Sequence, residues 1–295
     1  MEKTHPRANM KSSFILVAIS ALLALTGCAT QNSTQSSTQP QSPTTQATSD
    51  LAKLDARAVA KALAPSGTLR AAINLGNPIL AKRGQGTEPP SGLSVDIARE
   101  LGARLGVPVQ LVTFEAAGKV VDALKAGSVD LVFVAIDPVR GADVFYSAPY
   151  VIIEGSYMVP KNSPIQRNDQ VDVPGNRIVV GAGSAYDLFL IRELKKATLV
   201  RANSSPQVVD KLVAEKFEVA AGVRQQLEAD AKRFPSVRML EGRFMQIDQA
   251  VGVPKTGNRE EALPYLRAFI EELKRSGFVE NSLKRHRIEG AAVAK

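Results

Sequence analysis

The 295-residue chain has one cysteine, Cys28, two histidines, His5 and His286, and no tryptophan. A lone cysteine excludes any disulfide within the chain. The same scarcity excludes thiolate zinc clusters, Cys–His dyads and multi-histidine metal sites. If the first residues are removed, His286 is the only imidazole left, which argues against hydrolases built on a Ser–His pair. No P-loop or nucleophile elbow occurs. The Gly181-x-Gly183 pair does not continue into a dinucleotide fingerprint, because Tyr186 stands at the third glycine position. No run of basic residues interleaved with aromatics occurs, so nucleic acid is not expected as a partner. What remains, at 44% hydrophobic and 22% charged, is ample for one or two packed domains.

The N-terminal segment gives an address. Lys3, Arg7 and Lys11 precede an apolar run at 14–25, shorter than the ~20 residues a spanning helix needs. A basic start, an apolar middle and small residues at the end read as a secretory signal over 1–27. Met10 gives it a more usual length. The segment closes on Leu25-Thr26-Gly27-Cys28, which looks like a bacterial lipobox, so Cys28 is the expected lipidation site. Residues 29–50 are mostly Gln, Ser and Thr and cannot bury a core, so 28–50 is expected to be a flexible tether. Removing 1–27 takes three basic side chains and one acidic one from 37 and 29, leaving 34 and 28, a net +6.

From residue 51 the pattern alternates. Residues 68–74 read as a strand. Leu93, Ile97, Leu101 and Leu105 form one helical stripe ending at Gly106. Strands follow at 107–114 and 129–136, with a helix closing at Gly127 between them. The run VDLVFVAI at 129–136 is apolar but for Asp130, as in a strand buried on both faces. A second block has strands at 177–182, 199–202, 217–223 and 237–240. Ser184 is a candidate helix cap, Ser205-Pro206 a helix opening, and 225–233 a helix. A strand at 250–254 and helices at 260–275 and 280–286 end the chain. This is an α/β chain with largely parallel sheets.

Several segments, taken in order, resemble the bacterial extracellular solute-binding proteins of the polar amino-acid ABC-importer class (family 3 type), in lipoprotein form. They are GLSVDIAREL at 92–101, VDALKAGSVDLVFV at 121–134, DPVR at 137–140 with FYSAPY at 145–150, the Gly183-Ser184 turn, and ELKRSGF at 272–278. The resemblance covers roughly residues 67–290. It implies a two-lobed periplasmic-binding-protein fold of type II, each lobe a sheet flanked by helices, the second lobe inserted in the first. Lobe I is expected at 51–153 and 248–295, and lobe II at 154–247. The crossing strands are expected near 152–159 and 247–253.

The resemblance also implies a site. The family's arginine, which forks onto a solute carboxylate, falls at Arg140, and a planar guanidinium suits that task. Ser184 falls where the family meets the same carboxylate at a helix start, itself an anion-favouring place. Asn74, Asn77, Ala135, Asp137, Ala185 and Arg224 complete the candidate ligand contacts. Two departures stand out. The family's stacking aromatics are replaced near Asn74 to Pro78 and at about Ala117. The aspartate that holds the α-amino group is replaced at about Val223, with Arg224 next. The expected solute is therefore a carboxylate lacking the usual α-amino group, or an amino acid held differently.

The implied function is the lipid-anchored, extracytoplasmic solute receptor of an ABC importer. It is expected to be a monomer with a permease partner, without cofactor, metal or catalysis. Two alternatives stay open. One is a sensory or partner-binding lipoprotein without a transport role. The other is a cyclohexadienyl dehydratase-like enzyme on the same fold, for which Asp137 and Asp187 are the nearest acid–base candidates.

Overall fold

A computed structural model describes residues 55–295. The signal segment, Cys28 and the tether lie outside the described residues. The first described helix, α1 (Ala56–Leu63), was not anticipated. Asp55 caps it by accepting from the Arg57 backbone N–H, and Val59 and Leu63 are its buried stripe.

A β-α-β-α-β unit follows: β1 (Leu69–Asn74), α2 (Leu93–Leu105), β2 (Val109–Phe114), α3 (Ala117–Lys125) and β3 (Leu131–Ala135). The stripe of α2 is buried as the spacing predicts, and Gly106 ends the helix in the left-handed conformation. β1 runs parallel between β2 and β3. All five residues of β3 are buried.

Then comes β4 (Val144–Pro160), a 17-residue strand. It is antiparallel to β9 (Met245–Pro254) from Val144↔Pro254 to Gly155↔Met245, with register shifts between Tyr146 and Val151. In its second half β9 lies between β4 and β3, pairing Val132↔Gly252 through Ala135↔Gln249. Near its end β4 takes β7 (Val219–Val223) as a second neighbour, from Gly155↔Val223 to Met158↔Ala220. These two strands are therefore shared by both halves of the sheet, whose order is β2-β1-β3-β9-β4-β7 and then β5 (Arg177–Gly181) and β6 (Thr198–Ala202). β8 (Val237–Met239) and β10 (Ala292–Val293) both pair with β4. Everything from β5 to β8 lies between β4 and β9 in sequence, so the second lobe is inserted into the first.

Lobe II is completed by α4 (Ala185–Glu193), α5 (Val208–Ala214) and α6 (Arg224–Arg233). The helix expected at Ser205-Pro206 begins instead as a 3-10 turn over Ser205–Gln207, and α5 starts at Val208. Pro206 has no N–H, and the Ser205 hydroxyl accepts from the Tyr186 hydroxyl rather than capping. The same occurs near the C-terminus. Residues Asn258–Ala262 are 3-10, and α7 (Leu263–Arg275) begins at the turn holding Pro264. A final helix, α8 (Phe278–Arg285), follows Gly277.

Each lobe is three layers. In lobe I, Leu69, Ala71, Ile73, Leu131 and Phe133 face α2 and α7, while Ala72, Val132 and Val134 face Val120 and Leu124 of α3. In lobe II, Ile178 and Val180 face Tyr186 and Leu190 of α4, and Val179 and Ala220 face Val208 and Leu212 of α5. Alternate residues of each strand thus serve opposite faces. Both βα units deliver the carboxyl ends of their strands to one region, which in open α/β sheets is where ligands bind.

Candidate functional site

A cavity lies where the lobes meet. Lobe I lines it with the loop after β1 (Asn74, Gly76, Asn77), the start of α3 (Ala117), the end of β3 (Val134, Ala135) and Arg140. Lobe II contributes the first turn of α4 (Ser184, Ala185, Tyr186), Ser205 and the end of β7 (Val223). Ile247 and Gln249 of β9 complete it, and its volume is about 40 Å³.

Arg140 reaches the cavity because the chain turns sharply after β3. The Asp137 carboxylate accepts from the Val139 N–H, 2.8 Å, the Asp137 carbonyl from the Gly141 N–H, and a 3-10 turn spans Arg140–Ala142. The guanidinium is 4% exposed. Nη1 donates to the Ala135 carbonyl at 3.1 Å and Nη2 to the Gly183 carbonyl at 2.8 Å. Arg140 therefore spans the two lobes through carbonyl oxygens, and among the described residues no carboxylate hydrogen-bonds to it. Burial lowers its pKa from the ordinary value, opposed by its interactions with Tyr146 and Asp137. A desolvated cation without a bonded counter-ion is costly, and an anion beside it offsets that cost.

Across the cleft, Gly183 adopts φ +66° and its N–H donates to Asp187, 2.9 Å. Ser184 is the N-cap of α4, accepting from the Asp187 N–H at 3.0 Å. The first turn of α4 thus lines the cavity, where helix N–H groups favour negative charge. The backbones of the lobes also meet here. A Cβ on Gly183 would stand 2.9 Å from the Cα of Gly118. On the lobe I side, Asn74 Oδ1 accepts from the Gly76 N–H. A Cβ on Gly76 would collide with the Glu115 carbonyl at 2.3 Å. Asn77 Oδ1 is buried without a hydrogen-bond partner.

Of the residues expected to form the site, six line the cavity: Arg140, Ser184, Asn74, Asn77, Ala135 and Ala185. Two do not. Arg224 is turned to Glu154 of β4, Nε to carboxylate 2.8 Å, and to the Gly242 carbonyl, a pairing the one-dimensional reading could not see. Asp137 is close by but occupied: its second oxygen pairs with Arg192 of α4 at 2.9 Å, a second bridge between the lobes. The positions of the two departures, Ala117 and Val223, do line the cavity. Tyr186, Ser205 and Gln249 were missed. Gln249 had a signal, since a polar residue in a strand where its neighbours Ala250, Val251 and Val253 are buried faces something other than the core. Ser205 and Tyr186 had none beyond turn and cap signatures.

No Asp, Glu, His or Lys lines the cavity, and Asp187, the other acid–base candidate, is engaged by Arg201 at 3.0 Å. Among the described residues no cluster of three metal-ligating side chains occurs, and no helix is long and apolar enough to cross a membrane.

Two α/β lobes, two shared strands and a cavity between the lobes define a periplasmic-binding-protein architecture of type II. The description "Bacterial extracellular solute-binding proteins, family 3" matches residues 69–287, and the chain belongs to this family. No curated protein sequence matches it. Among solved structures it is similar to a solute receptor for L-cysteine from Neisseria gonorrhoeae, with 24% identity, 79% of this chain and 94% of that chain covered, and TM-score 0.67. A variant of ArgBP from T. maritima gives 19% identity, 80% and 100% coverage, and TM-score 0.67. The ancestral amino acid-binding protein AncCDT-1, a precursor of cyclohexadienyl dehydratase, gives 20%, 75% and 96%, and TM-score 0.63.

Proposed function

We propose that the protein is the solute-receiving component of an ABC importer, working outside the cytoplasm and leashed to a membrane through lipidated Cys28. It captures a small carboxylate or amino-acid-like solute between its lobes and presents the closed form to a permease. The lobes are 51–153 with 248–295, and 154–247. In support, β4 gains β7 as a second neighbour at Gly155, just past the paired Ile153↔Ile247. The observation that carries the reading is Arg140, buried at the lobe interface with hydrogen bonds, among the described residues, to carbonyls alone. A solute carboxylate takes the planar fork, and the first turn of α4 supports the same charge. The dehydratase alternative needs an acid–base group at the solute, and the cavity lining offers no carboxylate or imidazole for it.

The test is a thermal-shift screen of carboxylates and amino acids, followed by calorimetric titration of the best hit. Arg140→Ala should weaken binding by at least about thirtyfold, since truncating one partner of a buried charge pair costs about 2–5 kcal/mol. Arg140→Lys should recover part of it. Unchanged affinity in Arg140→Ala would move the solute site elsewhere. For the anchor, Cys28→Ser should release the chain from the membrane fraction. A variant that stays bound through a high-salt wash would refute lipidation.

A further inference from the structure

We propose that the cavity selects short carboxylates without an ammonium group, two- and three-carbon hydroxy acids above all, over amino acids of the same length. This rests on reading the cavity as the solute site and names the class of solute it takes.

The first ground is charge. Arg140 is the one charged residue of the lining. The acids nearest to it in the chain and across the cleft are committed elsewhere. Asp137 holds Arg192 and the Val139 N–H, and Asp187 holds Arg201 and the Gly183 N–H. A zwitterion bound here would satisfy Arg140 with its carboxylate and leave its ammonium facing neutral groups of the lining. Burying a cation without a counter-ion is among the costliest things a site can do. A hydroxyl in the same place carries no such penalty.

The second ground is the character of the walls. Ala117, Val134, Ala185, Val223 and Ile247 present apolar surface. They stand beside the polar Asn74, Asn77, Ser184, Tyr186, Ser205 and Gln249, with Arg140 the one charge, a lining that matches a monoanion with a short hydrocarbon body and a hydroxyl. It is a poorer match for a doubly charged inorganic oxyanion, whose second charge finds no cation in the lining.

The third ground is size. A volume of about 40 Å³ corresponds to about three water-sized spheres at ~10–15 Å³ each. A long side chain has no room while Gly118 and Gly183 are in contact.

The experiment uses pairs of equal size that differ in the ammonium alone: glycolate against glycine, and lactate against alanine. Each is titrated calorimetrically into the full chain at neutral pH, with sulfate as a further arm. The hydroxy acids should bind at least about tenfold tighter than the matching amino acids. Val223→Asp, which adds a carboxylate to the lobe II wall, should shrink or reverse that ratio. Val223→Asn, equally polar and uncharged, should leave it in favour of the hydroxy acids. Glycine or alanine binding as tightly as its hydroxy partner in the wild type would overturn the inference, as would sulfate binding tightest. If the amino acids win and Arg140→Ala abolishes their binding, the receptor reading survives and only the charge class falls. If none of these solutes binds while another carboxylate does, again only this inference falls. If no solute binds at all, both fall.

Discussion

Lobe I and lobe II bury their charges differently. In lobe I, Asp130 is wholly buried and its carboxylate accepts from Arg70 Nε and Nη2, the Arg70 N–H and Arg259 Nη2, all within 3.1 Å. That node ties β1 to the segment before α7, beneath a core that gathers α1, α2, α7 and α8 on one side. In lobe II the equivalent edge is held by Arg177 and Glu218, a bidentate pair whose side chains are 44% and 33% exposed. The cleft follows the same division. Lobe I brings the cation, and lobe II brings a helix start, hydroxyls and a glycine turn. Lobe II buries carboxylates too, Asp187 against Arg201 and Asp230 against Arg233, but each arginine there is about half exposed. In the cleft the buried cation is therefore lobe I's and the closing surface lobe II's.

The largest break in this comparison is expected at Asp130. Asp130→Ala would leave Arg70 and Arg259 without their shared partner, and removing one side of a buried pair costs about 3–5 kcal/mol. Glu218→Ala in lobe II, at a solvent-screened pair, should cost under about 1 kcal/mol. Urea unfolding of both variants decides it, and equal losses would erase the contrast. The pH dependence sharpens it. Burial works to raise the Asp130 carboxyl, but hydrogen bonds from the Arg70 side chain and backbone and the charges of Arg70 and Arg259 outweigh it. Its pKa is lowered as a result. Its contribution is complete above the unfolded carboxylate value of about 3.9 and is lost as pH falls through the lower folded value. Asp130→Ala should therefore flatten the acid limb of stability against pH. A variant whose acid limb matches the wild type would deny Asp130 that role.

These networks mark the limit of what the chain discloses in one dimension. The helical stripe of α2 and the unbroken apolar run of β3 were legible because period and burial are local properties. The crossing strands were legible as segments, yet β4 proved twice the expected span, since its first half pairs with β9 far away in sequence. Helix α1 was overlooked despite its Asp55 cap, and β10 has two residues and no period to read. Of the candidate site residues, Arg140, read with its neighbours DPV, lines the cavity, whereas Arg224 turns away to Glu154, which lies 70 residues upstream. Asp130 reads as a polar residue inside the strand expected at 129–136, whereas the strand begins at Leu131. Nothing local tells a carboxylate that joins two arginines from one that meets solvent.

The second effect in size belongs to the cleft. Gly183→Ala should hold the lobes apart, because its Cβ would lie 2.9 Å from Gly118 Cα. The backbone at φ +66° adds about 1–2 kcal/mol of strain for a residue with a Cβ. Affinity for the best solute should fall at least about tenfold, and the scattering radius of the liganded protein should stay that of the open form. The reciprocal change is mild. A Cβ on Gly118 would sit 3.5 Å from Gly183 Cα, an ordinary contact, and alanine is the better helix former in α3. Gly118→Ala should bind as the wild type does. Matching losses in the two variants would show that the contact, rather than the lobe II turn, sets closure.

The smallest effect is expected at the outer bridge between the lobes, Asp137 with Arg192. The pair spans the cleft mouth at 2.9 Å, but Arg192 is 34% exposed, and such pairs contribute about 0–1 kcal/mol. Arg192→Ala removes the lobe II half and leaves Asp137 its hydrogen bond from the Val139 N–H, so the turn that presents Arg140 is kept. Solute affinity should then change by less than about fivefold, a change of about 1 kcal/mol. The change should shrink further as salt is raised, because exposed charges are screened over about 8–10 Å at physiological ionic strength. Asp137→Ala should do more than Arg192→Ala, since it removes the bridge and the turn together. A double variant separates the two roles. If the pair acts only as a bridge, Arg192→Ala and Asp137→Ala will be equal and the double variant no worse than either. If Asp137 also holds the turn, the double variant will match Asp137→Ala and exceed Arg192→Ala. Isothermal titration at low and high salt reads both quantities. A loss in Arg192→Ala as large as that in Arg140→Ala would transfer the closing force from the buried cation to the rim.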